Sequence, residues 1–425
     1  MFKFKIKYFG VIKMNNIFSS ADIMLPNFIN NSTKAEKWAV IACDQFTSEP
    51  DYWQNAYSFA NEMPSAINII LPEVFLSDST SDKLKTISEY MKEYKKSILE
   101  TYSNALIFVK RTQSNGKIRY GIVGKIDLEE YDYAKASVSA IRATEGTVLE
   151  RIPPRVKVRR AAEIESPHIM LLIDDHQKTV IEPLKEKLTD MKKLYDFDLM
   201  LGGGHIEGYL LSENLGNSVI DSLDALFIKN GSKIKFAVGD GNHSLASAKA
   251  RYEEIKSEIG EEKAKNHPLR YALCEVVNLH DDALEFEPIY RLVQTNDKEM
   301  LLKALCEYSK DLGEGAQEVK CIFDSAEKVV SLGRGTHSLT VGTLQNFLDS
   351  YKKEHPEIKI DYIHGLDSIY KLANLENAIG FVFDGMKKEE LFSAVEKDGA
   401  LPRKTFSMGE AKDKRYYIEC RNIAE

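Results

Sequence analysis

Apolar residues follow two rhythms along this chain. Short apolar runs closed by turn residues predict strands, and apolar residues recurring every three or four positions predict helices. The stretch "KWAVIACDQF" is apolar until it stops at Asp44 before the polar "TSEPDYW". It reads as a buried strand that delivers Asp44 at its C-terminal end. In "SDKLKTISEYMKEYKKSILE", Leu84, Ile87, Tyr90 and Met91 share one helical face. "ALIFVKRTQSNGKIRYGIVGKIDL" sets two apolar strands around Asn115-Gly116; both residues tolerate positive φ, which predicts a hairpin. A strand ending at Asp174-Asp175 follows, and "VIEPLKEKLTDMKKLYDF" is predicted to be helical. "IKFAV" is a strand that runs into a glycine-rich turn and then a helix. "LRYALCEVVNLH" and "LEFEPIYRLV" read as strands, and "KKEELFSAVEKDG" as a last helix.

Helices and strands interleave throughout, so the expected class is α/β, with α+β possible, built on mixed sheets. No internal repeat or low-complexity linker marks a boundary. The expected division is an accessory or poorly ordered segment over 1–17, an N-terminal lobe over 18–265 and a C-terminal α/β lobe over 266–425 contributing to the same pocket. "MFKFKIKYFGVIKM" lacks the long apolar core and cleavage site of a signal peptide. Met14 is the more natural start.

Composition narrows the function classes. Of 425 residues, 43% are hydrophobic and 29% charged, the balance of a soluble globular protein. A net charge of −8 gives no electrostatic case for nucleic acid or an anionic membrane. No apolar stretch reaches the length of a membrane span. Five cysteines are dispersed without CxxC spacing, which argues against a disulfide framework or a zinc ribbon and for a reducing, cytoplasmic setting.

The unusual chemistry lies in Gly239-Asp240-Gly241-Asn242-His243-Ser244. A strand, a glycine turn and a helix make an anion site, because the first amides of a helix lack partners and carry its positive dipole end. Gly239 and Gly241 allow close backbone approach. Ser244 can cap or donate, and His243 and Asp240 can bind phosphate or move a proton. The turn is neither a Walker A loop nor G-x-G-x-x-G. The same residues also suit a tight turn with a capped helix. Asp240 and His243 are conceivable metal ligands, but no second ligand pair completes a set, so no metal site is expected.

Other segments offer charge. Arg142, Arg151, Arg155, Arg159 and Arg160 cluster near Thr144, Glu145 and Thr147; arginine forks suit phosphate, although a solvated basic face has the same composition. "LGGGHIEGYL" sets His205 and Glu207 on one strand face. Asp44 at a strand end is placed to act as a base or to hold Mg2+. His364, Arg403 and Lys404 complete the candidates.

"VGDGNHSLASAK" resembles the "ADGHHR-tyrosine-x-x-A" signature of a conserved bacterial family, domain of unknown function 1015. The resemblance runs from about Ser19 to the C-terminus through "IRATEGT", "FEPIYRLV", "DYIHG" and "LPRKTFSM". The DG-x-H turn is similar, more distantly, to the phosphate-binding turn of the ParB/sulfiredoxin superfamily, which includes free-serine kinases. This implies a ParB/sulfiredoxin-like core with additional lobes, and a phosphate site on Gly241, Asn242, His243 and Ser244. Ser244 stands where arginine is usual, and Asn242 where sulfiredoxin has its cysteine, which removes that chemistry. Lys249 or the arginines between Arg142 and Arg160 would have to supply the missing charge.

The implied function is a small-molecule kinase or phosphotransferase acting on a hydroxyl metabolite such as serine, using ATP or ADP with Mg2+. Asp44 or Glu145 would be the base, with Asp240 and His243 as further catalytic groups. Arg142 and Arg155 would neutralise phosphate, while Gly239, Thr144, His205, Arg403 and Lys404 would bind the cofactor. A nucleotide- or metabolite-binding regulator and a phosphoester hydrolase use the same groups. The expected partner is a phosphorylated small molecule or nucleotide, with a homo-oligomer as a further possible assembly.

Overall fold

A computed structural model describes residues 17–78 and 81–425. The segment expected to be accessory, 1–17, therefore lies outside the described residues except for Ile17. The fold is mixed α/β, with two main sheets. The larger has ten strands: β1 (Phe18–Ser19), β2 (Ile107–Thr112), β3 (Ile118–Asp127), β4 (Tyr131–Asp132), β5 (Ile141–Ala143), β6 (Met170–Ile173), β7 (Lys192–Asp198), β8 (His205–Leu210), β9 (Phe236–Asp240) and β10 (Tyr271–Asn278). Their spatial order is β7-β8-β2-β3-β10-β6-β9-β5-β4, with β1 paired to β3. The pair β6/β10 and the pair β9/β5 are parallel, whereas β6 and β9 are antiparallel.

The β2–β3 hairpin forms where the sequence predicts it. Gly116 takes φ +81°, and Asn115 Oδ1 accepts from the Lys117 amide at 3.0 Å. One expectation fails. "VIEPLKEKLTDMKKLYDF" is a 3-10 stretch, Glu182–Asp190, followed by strand β7. Leu194, Tyr195 and Phe197 are buried against the sheet, and full-length pairing with β8 overrides the helical spacing of the charges.

The second sheet contains β11 (Phe286–Gln294), β12 (Gln317–Phe323), β13 (Ala326–Gly333), β14 (Lys359–His364), β15 (Ala378–Val382) and β16 (Phe406–Met408). Its order is β13-β12-β15-β11-β14, with β16 on the start of β11. Alternation across the large sheet joins the two. Met170, Leu172, Ala237 and Val277 share a core with Leu292, Val319, Ile379 and Phe381 of the second sheet. Their neighbours Leu171, Ile173, Val238 and Val276 face the opposite core. The division expected at residues 265/266 does not follow the sheets, because β10 sits in the middle of the large one. The period-2 pattern identifies β10 as a strand but carries no information about its partner.

The C-terminal segment binds the parts together. Leu401 bridges to Glu145, β16 pairs with β11, Tyr416–Tyr417 pairs with Val40–Ile41, and Arg421–Asn422 pairs with Ile164–Glu165. Among the described residues, no helix is long and apolar enough to cross a membrane.

Candidate phosphate-binding site

The strand β9 ends at Asp240, and helix α1 (Asn242–Ile259) begins after one residue. Gly241 makes this junction possible. Its φ is +80°, and a Cβ there would stand 3.1 Å from the Ile169 Cα, so a side chain would be both strained and crowded. Asp240 Oδ1 accepts from the Gly241 amide at 2.9 Å. No side chain caps α1. The first helical amide with an intrahelical acceptor is that of Leu245, bonded to the Gly241 carbonyl at 2.9 Å. The amides of Asn242, His243 and Ser244 have no acceptor among the described residues. Three free amides at a positive dipole end favour an anion.

A cavity of about 670 Å³ opens at this turn. Asp44 comes from the turn that follows the two-residue strand Val40–Ile41, rather than from the strand end expected, and Thr144, Glu145 and Arg151 from the chain after β5. Asp240, Asn242 and His243 come from the turn, and His364 from the end of β14. Arg403, Lys404 and Lys414 come from the C-terminal segment. The Thr144 hydroxyl donates to the Val238 carbonyl at 2.7 Å, tying its segment to β9. The Leu401 amide bonds the Thr144 carbonyl at 2.8 Å, clamping the C-terminal segment on the same edge. Lys404 is left-handed at φ +60°. The buried Arg291 guanidinium holds it there, donating to the Lys404 carbonyl at 3.0 Å.

Of the residues singled out in the sequence, Asp44, Thr144, Glu145, Gly239, Asp240, Gly241, Asn242, His243, Arg403 and Lys404 line this cavity. Ser244 and Arg155 face a smaller neighbouring cavity of about 150 Å³, which shares Asp44 and His243 with the first. Arg142 and His205 line neither. Arg142 is buried, and its Nε donates to the Ser139 carbonyl at 3.0 Å. His205 sits at the far edge of the large sheet between Asp198, 2.7 Å away, and Asp196, 2.9 Å away.

The source of positive charge also differs from expectation. Arg155 is engaged by Glu73 at 2.5 Å, Arg159 by Glu165 and Arg160 by Glu254. Lys249 is bound by Glu253 at 2.6 Å. Arg151 alone of the arginine cluster reaches the large cavity. Arg151, Arg403 and Lys404 form no ion pair with any described residue. Sequence reasoning missed Lys414, whose Nζ donates to the Met408 carbonyl at 2.9 Å and lies 3.7 Å from Asp240 Oδ2. It also missed His168, on the wall of the smaller cavity. Neither stands in a motif; only tertiary proximity to Asp240 and Asp44 marks them.

The titratable groups divide by environment. Burial pushes the Glu145 carboxyl above its ordinary range, against the opposing effect of backbone amides and the Lys404 charge. Asp44 is driven the other way. Burial would raise it, but the His168 imidazole beside it prevails and holds it well below the carboxylate range. Burial, together with the Arg155 and Arg151 charges, lowers His243 to about 4. It is therefore neutral at pH 7. The Val148 amide donates to His243 Nε2 at 3.2 Å, which leaves Nδ1 as the protonated nitrogen. Burial and the Asp44 charge raise the Cys43 thiol to about 12, so it is no nucleophile.

A family model described as "Protein of unknown function (DUF1015)" matches residues 28–422. No curated protein matches the sequence. Solved structures with some likeness include a free serine kinase mutant in complex with AMP. It is 12% identical, with 71% of this chain and 92% of that chain covered and a TM-score of 0.38. A conserved hypothetical protein from Pyrococcus furiosus is 11% identical, covering 71% and 95%, with a TM-score of 0.35. SbnI with a C-terminal truncation, from Staphylococcus aureus, is 9% identical, covering 69% and 85%, with a TM-score of 0.36.

Proposed function

We propose that this chain, which belongs to the DUF1015 family of unknown function, binds a nucleotide in the large cavity and transfers a phosphoryl group to a small hydroxyl metabolite. The observation that carries this reading is a single juxtaposition. The unpartnered amides of Asn242 and His243 belong to one cavity with Arg151, Arg403 and Lys404, which form no ion pairs with described residues, and with two carboxylates of opposite titration. Amides and guanidinium groups hold phosphate oxygens and stabilise charge spreading over a transferred phosphoryl group. The resemblance of the turn to the phosphate-binding turn of the ParB/sulfiredoxin superfamily agrees with it.

In this mechanism ATP or ADP is the donor. The amides of Asn242 and His243 would hold its terminal phosphates, with neutral His243 donating from Nδ1. Arg151, Arg403 and Lys404 balance their charge. Glu145, whose carboxyl burial raises, would be the base. It takes the proton of the acceptor hydroxyl as that oxygen bonds to phosphorus, and the bond to the shortened nucleotide breaks. Asp44, held ionised, would be the residue to hold a divalent metal ion, which when bound would offset the phosphate charge.

The test is a thermal-shift panel of ATP, ADP and AMP with Mg2+, followed by product analysis with and without serine and other hydroxyl metabolites. A nucleotide at a hundredfold excess over its Kd should stabilise the fold by about 2.7 kcal/mol. His243→Ala should lose most of that gain, and turnover should require the hydroxyl acceptor. Stabilisation without any turnover would make the chain a nucleotide-binding regulator. Hydrolysis without an acceptor would make it a phosphoester hydrolase. If no phosphorylated compound stabilises the protein, the proposal fails.

A further inference from the structure

Two groups of three potential ligand side chains stand close together among the described residues. His176, His280 and Glu389 form one, but two of these are exposed and His280 Nε2 is already bonded to Asp174 at 2.8 Å. Asp44, His168 and Asp240 form the other, with their ligand atoms all within 4.8 Å of one another.

This second group holds two orphaned atoms. His168 is only 3% exposed, and its Nε2 is buried with no hydrogen-bond partner. Asp240 Oδ2 is likewise buried and unbonded; its nearest cation, Lys414 Nζ, stands off at 3.7 Å. Asp44 Oδ1 lies 3.4 Å from His168 Nε2, within ion-pair range but beyond an ordinary hydrogen bond. Buried polar atoms are nearly always satisfied, so two orphans in one cluster point to a common partner. Ligand atoms about 2.1 Å from one ion sit roughly 3.0 to 3.4 Å apart, depending on coordination geometry. The imidazole is also oriented as metal-bound histidines are. His168 Nδ1 lies 3.0 Å from Tyr417 Oη, and the same oxygen accepts from the Cys43 amide at 3.1 Å.

We propose that Asp44, His168 and Asp240 bind one divalent metal ion of the Mn2+ class, whose open positions face the large cavity. Asp44 and Asp240 both line that cavity beside the free amides of α1. An imidazole nitrogen among the ligands favours a transition ion over Mg2+, and two carboxylates keep the site hospitable to a hard one. Phosphate oxygens on the helix amides would complete its coordination. The proposal deepens the nucleotide reading by assigning its metal to the chain's own ligands. It is testable without any nucleotide.

The measurement is equilibrium binding of Mn2+ alone to the full chain, read from the spin-resonance signal of the free aquo ion, with Mg2+ as competitor. One Mn2+ should bind per chain, and Mg2+ should displace it only at concentrations at least tenfold higher. His168→Gln and Asp44→Asn should each weaken binding tenfold or more. Circular dichroism checks the fold of each variant. Asp44 is partly exposed, so Asp44→Asn decides the matter if His168→Gln does not fold. Absence of saturable Mn2+ binding, or binding indifferent to Asp44→Asn, overturns the proposal. Mn2+ bound by a protein that no nucleotide stabilises would leave the metal site standing and sink the phosphotransfer reading alone.

Discussion

At the scale of single residues, Gly241 and His243 concentrate the chemistry of the turn. Gly241→Ala forces a side chain into left-handed backbone and against the Ile169 backbone. It should cost about 1–2 kcal/mol in urea unfolding and remove the nucleotide-dependent thermal shift, because the amides of α1 would be re-aimed. His243 gives a pH signature. Its folded value of about 4 lies below its ordinary 6.5, so the folded protein binds fewer protons than the unfolded chain between these values. Its contribution to stability is intact above pH 6.5 and is lost as pH falls toward 4. The melting temperature of the wild type should therefore drop more steeply across that window than that of His243→Gln, by about 2–4 °C. Parallel curves for the two proteins would contradict the burial and arginine effects assigned to His243.

At the scale of elements, what local pattern encodes is legible in the sequence and what distant pairing encodes is not. The β9–turn–α1 junction and the β2–β3 hairpin follow from glycine positions and periodicity within a few residues. Strand β7 departs from its local pattern because its charges repeat at helical spacing while its pairing with β8 decides its state. The buried ion network under β10 has no local signal at all. Arg415, 3% exposed, bonds Glu275 in the middle of β10, and it bonds Glu419 at 2.5 Å. Glu419 also accepts from Tyr195 on β7 at 2.5 Å. These contacts join residues 140 and 224 positions apart. Arg415→Leu would leave buried Glu275 with only Arg119, 3.6 Å away, and buried Glu419 with only the Tyr195 hydroxyl, and removing one partner of a buried ion pair costs about 3–5 kcal/mol. A shift of the urea midpoint consistent with that cost, with an unchanged m-value, is the expected result. A near-neutral Arg415→Leu would mean that the carboxylates take up protons and that the network contributes little.

At the scale of the whole molecule, the cavity exists because the C-terminal segment crosses from the second sheet to the first. It bridges at Leu401 to Glu145, pairs as β16 with β11, passes Val40–Ile41 at Tyr416–Tyr417, and pairs last with Ile164–Glu165. Arg403, Lys404 and Lys414 ride on this crossing, and Arg291 of β11 fixes the strained Lys404 backbone from below. On the proposed reading, the charge that the turn lacks at Ser244 would come largely from a segment some 160 residues downstream. Most of the arginines nearer the turn are already spent on carboxylates and cannot supply it. An occupied site must then bridge two regions that no local element connects. Hydrogen exchange with and without nucleotide should show protection at residues 241–246 and at 403–414 together, saturating at one concentration. The β7–β8 edge carrying His205 should remain unchanged. Raising the salt concentration should weaken both protections in step, since the cations proposed to hold the phosphate are partly solvent-facing. Protection of the turn alone would mean that the C-terminal cations do not meet the ligand. In that case the anion would be held by the helix amides and Arg151 without the crossing segment.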